Sequence, residues 1–166
     1  VVSHASCIVQ VETSPCKRKR ECHFGPWKKN ERKTKRNRGQ SYESTSKKLV
    51  EDAEIGPHCF CPNKCFTTIP DNKKNEVFRA FWNLENFDVQ NSYLCSLMNA
   101  VEIKRRYTKA DKSRRNHTFQ FYIKCDSQQV KVCKKAFLAI HGLHKHRGRV
   151  ENLQKHIISK STIPPQ

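Results

Sequence analysis

The chain has 166 residues, with 33 Lys plus Arg against 15 Asp plus Glu, a formal net charge of +18 and a mean hydropathy of -0.85. Apolar residues make up 36%, so any hydrophobic core is small and needs support from a metal or a partner, while the charge excess asks for a polyanion to neutralise it. Nucleic acid is the first candidate polyanion and an anionic membrane surface the second; no run of 18 apolar residues is present, so nothing spans a bilayer, and no membrane partner is expected.

Residues 1 to 16 are mixed in character. Residues 17 to 48 carry 13 Lys plus Arg and little aliphatic content, so they cannot build a core. KRKR at 17 to 20 has the composition of a nuclear-import patch. Trp27 to Arg38 reads as one short basic helix: Glu31 precedes Lys35 by four positions, Gly25-Pro26 fits its start and Gly39 its end. Its Lys28, Lys29, Arg32, Lys35 and Arg36 are candidate contacts to phosphates, against the plainer reading of a solubilising tail. LVEDAEIGP, 49 to 57, is an acidic break before the compact part.

CFCPNKCF at 59 to 66 then places three of the nine cysteines at spacings of two and four. An odd cysteine count argues against a disulfide scaffold. Neighbouring thiolates repel unless a cation lies between them, and zinc supplies one while asking for four tetrahedral ligands. Cys59, Cys61 and Cys65 are therefore candidate zinc ligands in need of a fourth. Cys133, at a strand-to-helix junction, is favoured, with Cys95 as the alternative; His58 and Cys22 are further competitors. Cys7, Cys16, Cys22 and His23 form a second candidate set, weakened by the wide gap after Cys7. Cys125 reads as a small buried hydrophobe.

Asp71 is a candidate N-cap for a helix whose stripe is Val77, Phe78, Phe81, Trp82 and Leu84. After ENFD, with Asp88 as a candidate cap, Tyr93, Leu94, Leu97, Met98 and Val101 give a second helix, and the two make an αα-hairpin. KRRYTKADKSRRNH, 104 to 117, is a cation-rich loop whose Lys104, Arg105, Arg106, Lys112, Arg114 and Arg115 are candidate phosphate contacts. HTFQFYIKC, 117 to 125, alternates with period two, as does QVKVC at 129 to 133 beyond the DSQQ turn, so the pair is a β-hairpin.

KKAFLAIHGLHKHRGRVENLQKHI, 134 to 157, reads as a helix, a Gly142 turn and a second helix marked by Val150, Leu153, Ile157 and Ile158. That layout suits a helix-turn-helix, whose second helix enters the major groove. Arg147 and Arg149 can then read guanine and Asn152 adenine, Lys155 and His156 lie nearer the backbone, and Lys145 is a further candidate contact. A plain helical hairpin with solvated cations is the competing reading. His141, His144 and His146 show no spacing that demands a metal. No HExxH, GxSxG or P-loop occurs, so no enzyme is expected and the chain reads as a binding module.

Several stretches resemble an arthropod-expanded family of transposon-derived, transposase-like proteins: WKKNERKTKRNRGQSY at 27 to 42, HCFCPNKC at 58 to 65, VFRAFWNLENFDVQNSYL at 77 to 94 and VKVCKKAFLAIHGLHKHRGRVENLQK at 130 to 155. The resemblance spans residues 27 to 158 and implies an N-terminal, zinc-containing, DNA-binding part. It makes Cys59, Cys61, Cys65 and Cys133 the family-type cysteines and puts the helix-turn-helix at Gly142, Arg147, Arg149 and Val150. The chain stops at KSTIPPQ, where such proteins continue, so cleavage or strand transfer by this chain alone is not expected.

The expectation is thus a small zinc-stabilised α+β domain at 58 to 160, with an αα-hairpin, a β-hairpin and a helix-turn-helix-like pair, preceded at 1 to 57 by a basic, largely extended or disordered arm that includes one short helix and followed by a tail at 161 to 166. Its partner is double-stranded DNA in the nucleus. The alternative is an RNA-binding or structural adaptor role, with Trp27, Tyr42, Tyr107 and Tyr122 stacking on bases. A secreted basic peptide is a third, weaker class.

Overall fold

The computed structural model describes residues 27–103, 117–126 and 128–161, the last to residue 159 for side chains. It is an α+β fold. Chain order is α1 (Lys28–Asn37), β1 (Tyr42–Glu43), β2 (Leu49–Val50), α2 (Cys65–Thr68), α3 (Asp71–Trp82), α4 (Phe87–Ser96), β3 (Met98–Glu102), β4 (His117–Cys125), β5 (Gln128–Val132), α5 (Lys134–Ile140), a 3₁₀ turn (His144–His146) and α6 (Arg147–Ser161). β1 and β2 form a small antiparallel hairpin, and β3, β4 and β5 an antiparallel sheet with β4 central. KRKR, the 104–116 loop with its candidate cations, Cys7, Cys16, Cys22, His23 and the tail beyond 161 lie outside the described residues.

The alternation read in β4 has a direct consequence. Phe121 and Ile123 are buried, and Phe121 pairs with Val132 on one side and Met98 on the other. Helix α5 lies across this face, with the Phe121 and Phe137 rings 5.1 Å apart. Phe81 of α3, Leu94 of α4, Ile140 of α5 and Val150 of α6 are fully buried in the same core. α1 and α5 end alike. Gly39 and Gly142 both adopt positive φ, and the two amides after each helix fold back on its last turn: Gly39 and Gln40 bond the Arg36 and Lys35 carbonyls, Gly142 and Leu143 those of Ala139 and Leu138. A left-handed glycine is what this stop requires.

Three expectations are corrected. First, α4 ends at Ser96, and Met98 to Val101 belong to a strand. Apolar spacing there fits either period, and ladder pairing of Met98 with Phe121 and Ala100 with Phe119 decides for β. Second, the cap of α4 is Asn86, whose side chain accepts from the Asp88 and Val89 amides, and Asp71 is the first residue of α3 with its carboxylate on Lys74. Third, residues 27 to 57 hold the short helix expected within the arm, as α1, and the rest of the span is placed against the body. They pack on the body through backbone contacts: the Ala53 amide donates to the Gly39 carbonyl, the Gly56 amide to Ala139, and the fully buried Gln90 side-chain amide to the Asn37 carbonyl at 2.8 Å.

His141 is sealed among Phe81, Tyr93 and Phe137. Its Nδ1 lies 2.8 Å from the Phe137 carbonyl, which can only accept, so Nδ1 carries the proton. Nε2 has no hydrogen-bond partner among the described residues. Burial lowers the pKa to about 4 from an ordinary 6.5. The folded-state value lies below the unfolded one, so the stability this ring contributes is complete above about pH 6.5 and is lost as pH falls towards about 4. Against a His141→Phe variant, which cannot titrate, the wild type should lose about 3 kcal/mol of relative unfolding free energy between about pH 7 and pH 4. Denaturant unfolding of both proteins across that range measures it.

Candidate metal centre and cation surface

Phe60 and Lys64 are non-glycine residues with φ of 45° and 46°. These two left-handed positions curl the chain between the cysteines, and α2 starts at Cys65 directly after the second. The Cys59 and Cys61 sulfurs are 3.4 Å apart, as are those of Cys61 and Cys65. The hairpin β4–β5 brings in the fourth cysteine. Cys133 follows β5, caps α5 by accepting the Ala136 amide on Sγ at 3.3 Å, and donates its own amide to Cys65 Sγ at 3.3 Å. The sulfurs of Cys59, Cys61 and Cys133 lie within 4.8 Å of one another. All four cysteines are free thiols.

A metal–sulfur bond of about 2.3 Å puts tetrahedral thiolates about 3.8 Å apart, so these separations suit a central ion. The Cys59, Cys61 and Cys133 cluster can therefore hold a metal, with Cys65 Sγ adjoining it. The amide donors to Cys65 and Cys133 are of the kind that orient and stabilise thiolate ligands. Acidity is unequal across the group. The Cys65 amide, aided by the neighbouring Cys59 thiol, draws Cys61 down to about 6 against the opposing effect of burial. Burial pushes Cys133 up to about 12 and raises Cys65 as well. Protein groups alone thus favour one thiolate, and a bound cation is what allows its neighbours to ionise.

The alternative fourth ligand, Cys95, is not in the cluster; it sits on α4. His58 is also outside it: Nε2 lies 3.3 Å from the Thr67 hydroxyl, and Nδ1 accepts the Phe60 amide. A Cys61→Ser variant should lose its bound divalent metal and melt at lower temperature, while Cys95→Ser should retain the metal content of the wild type. Elemental analysis beside thermal melting checks both.

The cations divide into two kinds. Arg149, expected to read guanine, is turned inward. Its Nε donates to Asn91 Oδ1 at 2.8 Å, its terminal nitrogen to Gln90 Oε1 at 3.1 Å and the Phe87 carbonyl at 3.2 Å, and the guanidinium stacks over the Phe87 ring at 4.3 Å. Burial, with repulsion from Arg36, lowers its pKa to about 10. Through these contacts Arg149 joins α6 to α4. Lys145 is engaged by Glu51 at 2.9 Å and Glu54 at 3.3 Å. Arg147, Asn152 and Lys155 remain exposed. At 100° per residue they share the outer side of α6, opposite Arg149, Val150 and Leu153. Lys28, Lys29, Lys35 and Arg36 are exposed on α1, and Arg32 is half-buried.

Sequence reasoning overlooked the β1–β2 hairpin, which stands beside α1 and adds Lys47 and the Tyr42, Ser44 and Thr45 hydroxyls to its cations. Its strands are two residues each, too short to leave a periodic signal. Comparison with protein-family models, curated proteins and solved structures gives no match. Function therefore rests on the site itself. Replacing Arg149 by Ala should destabilise the fold by about 2 kcal/mol, the scale of hydrogen bonds to a charged group. A denaturant midpoint unchanged from the wild type would contradict the structural assignment.

Proposed function

We propose that this chain is a zinc-stabilised nucleic-acid-binding module. Its ligand is double-stranded DNA, bound with some sequence preference, in the nucleus. We propose too that it is derived from, or part of, a transposase-like protein. Zinc is the metal whose preference for tetrahedral thiolate fits Cys59, Cys61, Cys65 and Cys133 best. Its role is structural, since four protein sulfurs leave no open coordination position for chemistry.

The observation that carries the nucleic-acid reading is the state of α1. Residues 28 to 38 hold seven Lys and Arg; among the described residues only Arg38 of these is in an ion pair, with Glu85. Uncompensated cations on one ordered helix favour a polyanion that releases its counterions on contact. The α5–Gly142–3₁₀–α6 unit supports duplex readout as a helix-turn-helix, with Arg147, Asn152 and Lys155 as the side chains on its exposed face. A second reading, single-stranded RNA, is favoured by Trp27, 57% exposed at the head of this basic helix and able to stack on a base.

Selection from a random duplex pool, followed by competition with structured RNA and single strands, separates the two. Duplex binding should weaken steeply with salt yet retain one enriched sequence at fixed salt. Arg147→Ala should cost about 1 to 3 kcal/mol of discrimination between that sequence and random duplex. Equal competition by all three nucleic acids would defeat the duplex reading.

A further inference from the structure

Lys28, Arg32 and Lys35 recur at intervals of four and three along α1, so they form one stripe. The stripe faces the β1–β2 hairpin across a notch of about 410 Å³, whose other wall carries Lys47 and the hydroxyl residues Tyr42, Ser44 and Thr45. Glu31 and Glu43 also line it, two acids against four cations. Among the described residues none of the four cations is in an ion pair, whereas Arg38, Lys73, Lys74, Lys134 and Lys145 each hold a carboxylate. The far wall is braced. The Ser44 amide donates to the Lys48 carbonyl, the Lys47 amide to the Ser44 carbonyl, and the Lys48 amide to Ser44 Oγ. Within this turn Lys47 takes a φ of 57°, a conformation that disfavours lysine and that the surrounding bonds maintain.

We propose that this notch seats the phosphodiester backbone of a nucleic-acid strand between α1 and the hairpin. The inference rests on the nucleic-acid reading above and extends it to residues that reading does not use: Tyr42, Ser44, Thr45 and Lys47. Phosphate oxygens diverge tetrahedrally and accept several hydrogen bonds at once. Cations on two facing walls, with hydroxyl donors beside Lys47 on the hairpin wall, match that demand, and Arg32 adds a guanidinium fork suited to phosphate. From Lys28 to Lys35 the stripe runs about 10 Å, more than one free phosphate occupies, so a chain of phosphates fits it better. A flat lipid surface cannot meet both walls of a concave notch together.

The test compares Arg32→Ala/Lys47→Ala with a charge-matched control, Lys131→Ala/Lys135→Ala, whose side chains are exposed on β5 and α5. Affinity for a labelled duplex is titrated over a salt series. The notch variant should bind roughly tenfold more weakly at moderate salt, and its slope of log affinity against log salt should fall by about one for each phosphate it no longer neutralises, with the control close to wild type. Thr45→Val, which removes a hydroxyl and no charge, should weaken binding about threefold with the slope unchanged. Lys47→Gln replaces the double variant if circular dichroism shows that Arg32→Ala unfolds the helix. If the wild type binds no nucleic acid, both the general reading and the notch fall. If the wild type binds but the notch variant and the control weaken alike, the notch alone is overturned. A notch variant that loses binding to phosphatidylserine vesicles while keeping duplex affinity likewise overturns it, in favour of a membrane surface.

Discussion

The meeting of the Cys133 sulfur with the Cys59, Cys61 and Cys65 loop is the contact on which the remaining architecture turns. Cys133 sits where β5 ends and α5 begins. Its amide and its sulfur both face the cluster, and the same sulfur caps α5. A metal held there ties together segments that are 68 residues apart in sequence. In the unfolded chain such a closure is costly in entropy. With an apolar content of 36%, the core has little surplus to meet that cost unaided. Thiolate coordination is a strong enough term to do so.

A second constraint is polar. Gln90 is fully buried, and its amide group donates to the Asn37 and Phe81 carbonyls while its oxygen accepts from Arg149. One side chain thus joins α1, α3, α4 and α6. Every partner matters, because a buried amide left unpaired costs more than the bond itself contributes. This network sets the orientation of α1, and with it the direction in which the α1 stripe faces. Lys74 follows the same logic on α3: buried, bonded to Asp71 and placed 4.1 Å over the Phe66 ring beside the cysteine loop.

Local signals made part of this legible. HTFQFYIKC alternates because one face of β4 is buried, and its span in the structure is the span read from the pattern. The CxCxxxC spacing pointed to a thiol cluster able to hold a metal because few other arrangements tolerate three adjacent thiols. Non-local contacts left no such trace. Tyr93 to Val101 suits a helix by spacing, and only Phe121 and Phe119, some twenty residues on, turn its second half into a strand. Residues 27 to 57 looked like an arm because they join the body through Gly39, Gly56 and the Asn37 carbonyl, backbone groups that carry no hydrophobic pattern. Arg149 read as a free cation because its partners, Phe87, Gln90 and Asn91, lie on another helix.

The sorting of cations also bears on how so much charge is tolerated. A protein of net +18 repels itself, and the repulsion is least harmful where charges are spread and solvated. Here the cations nearest the core are compensated: Lys74 by Asp71, Arg149 by the dipoles of Asn91, Gln90 and the Phe87 carbonyl. Among the described residues, cations without a carboxylate partner stand at the surface on α1, on the hairpin and along the outer side of α6, and also on β5 and α5 as Lys131 and Lys135, where water screens them. Any polyanion contact through the outer set depends on salt strongly. On the proposed reading folding and binding rest on different residues and can be altered separately, with Arg149 assigned to the first and Arg147 to the second.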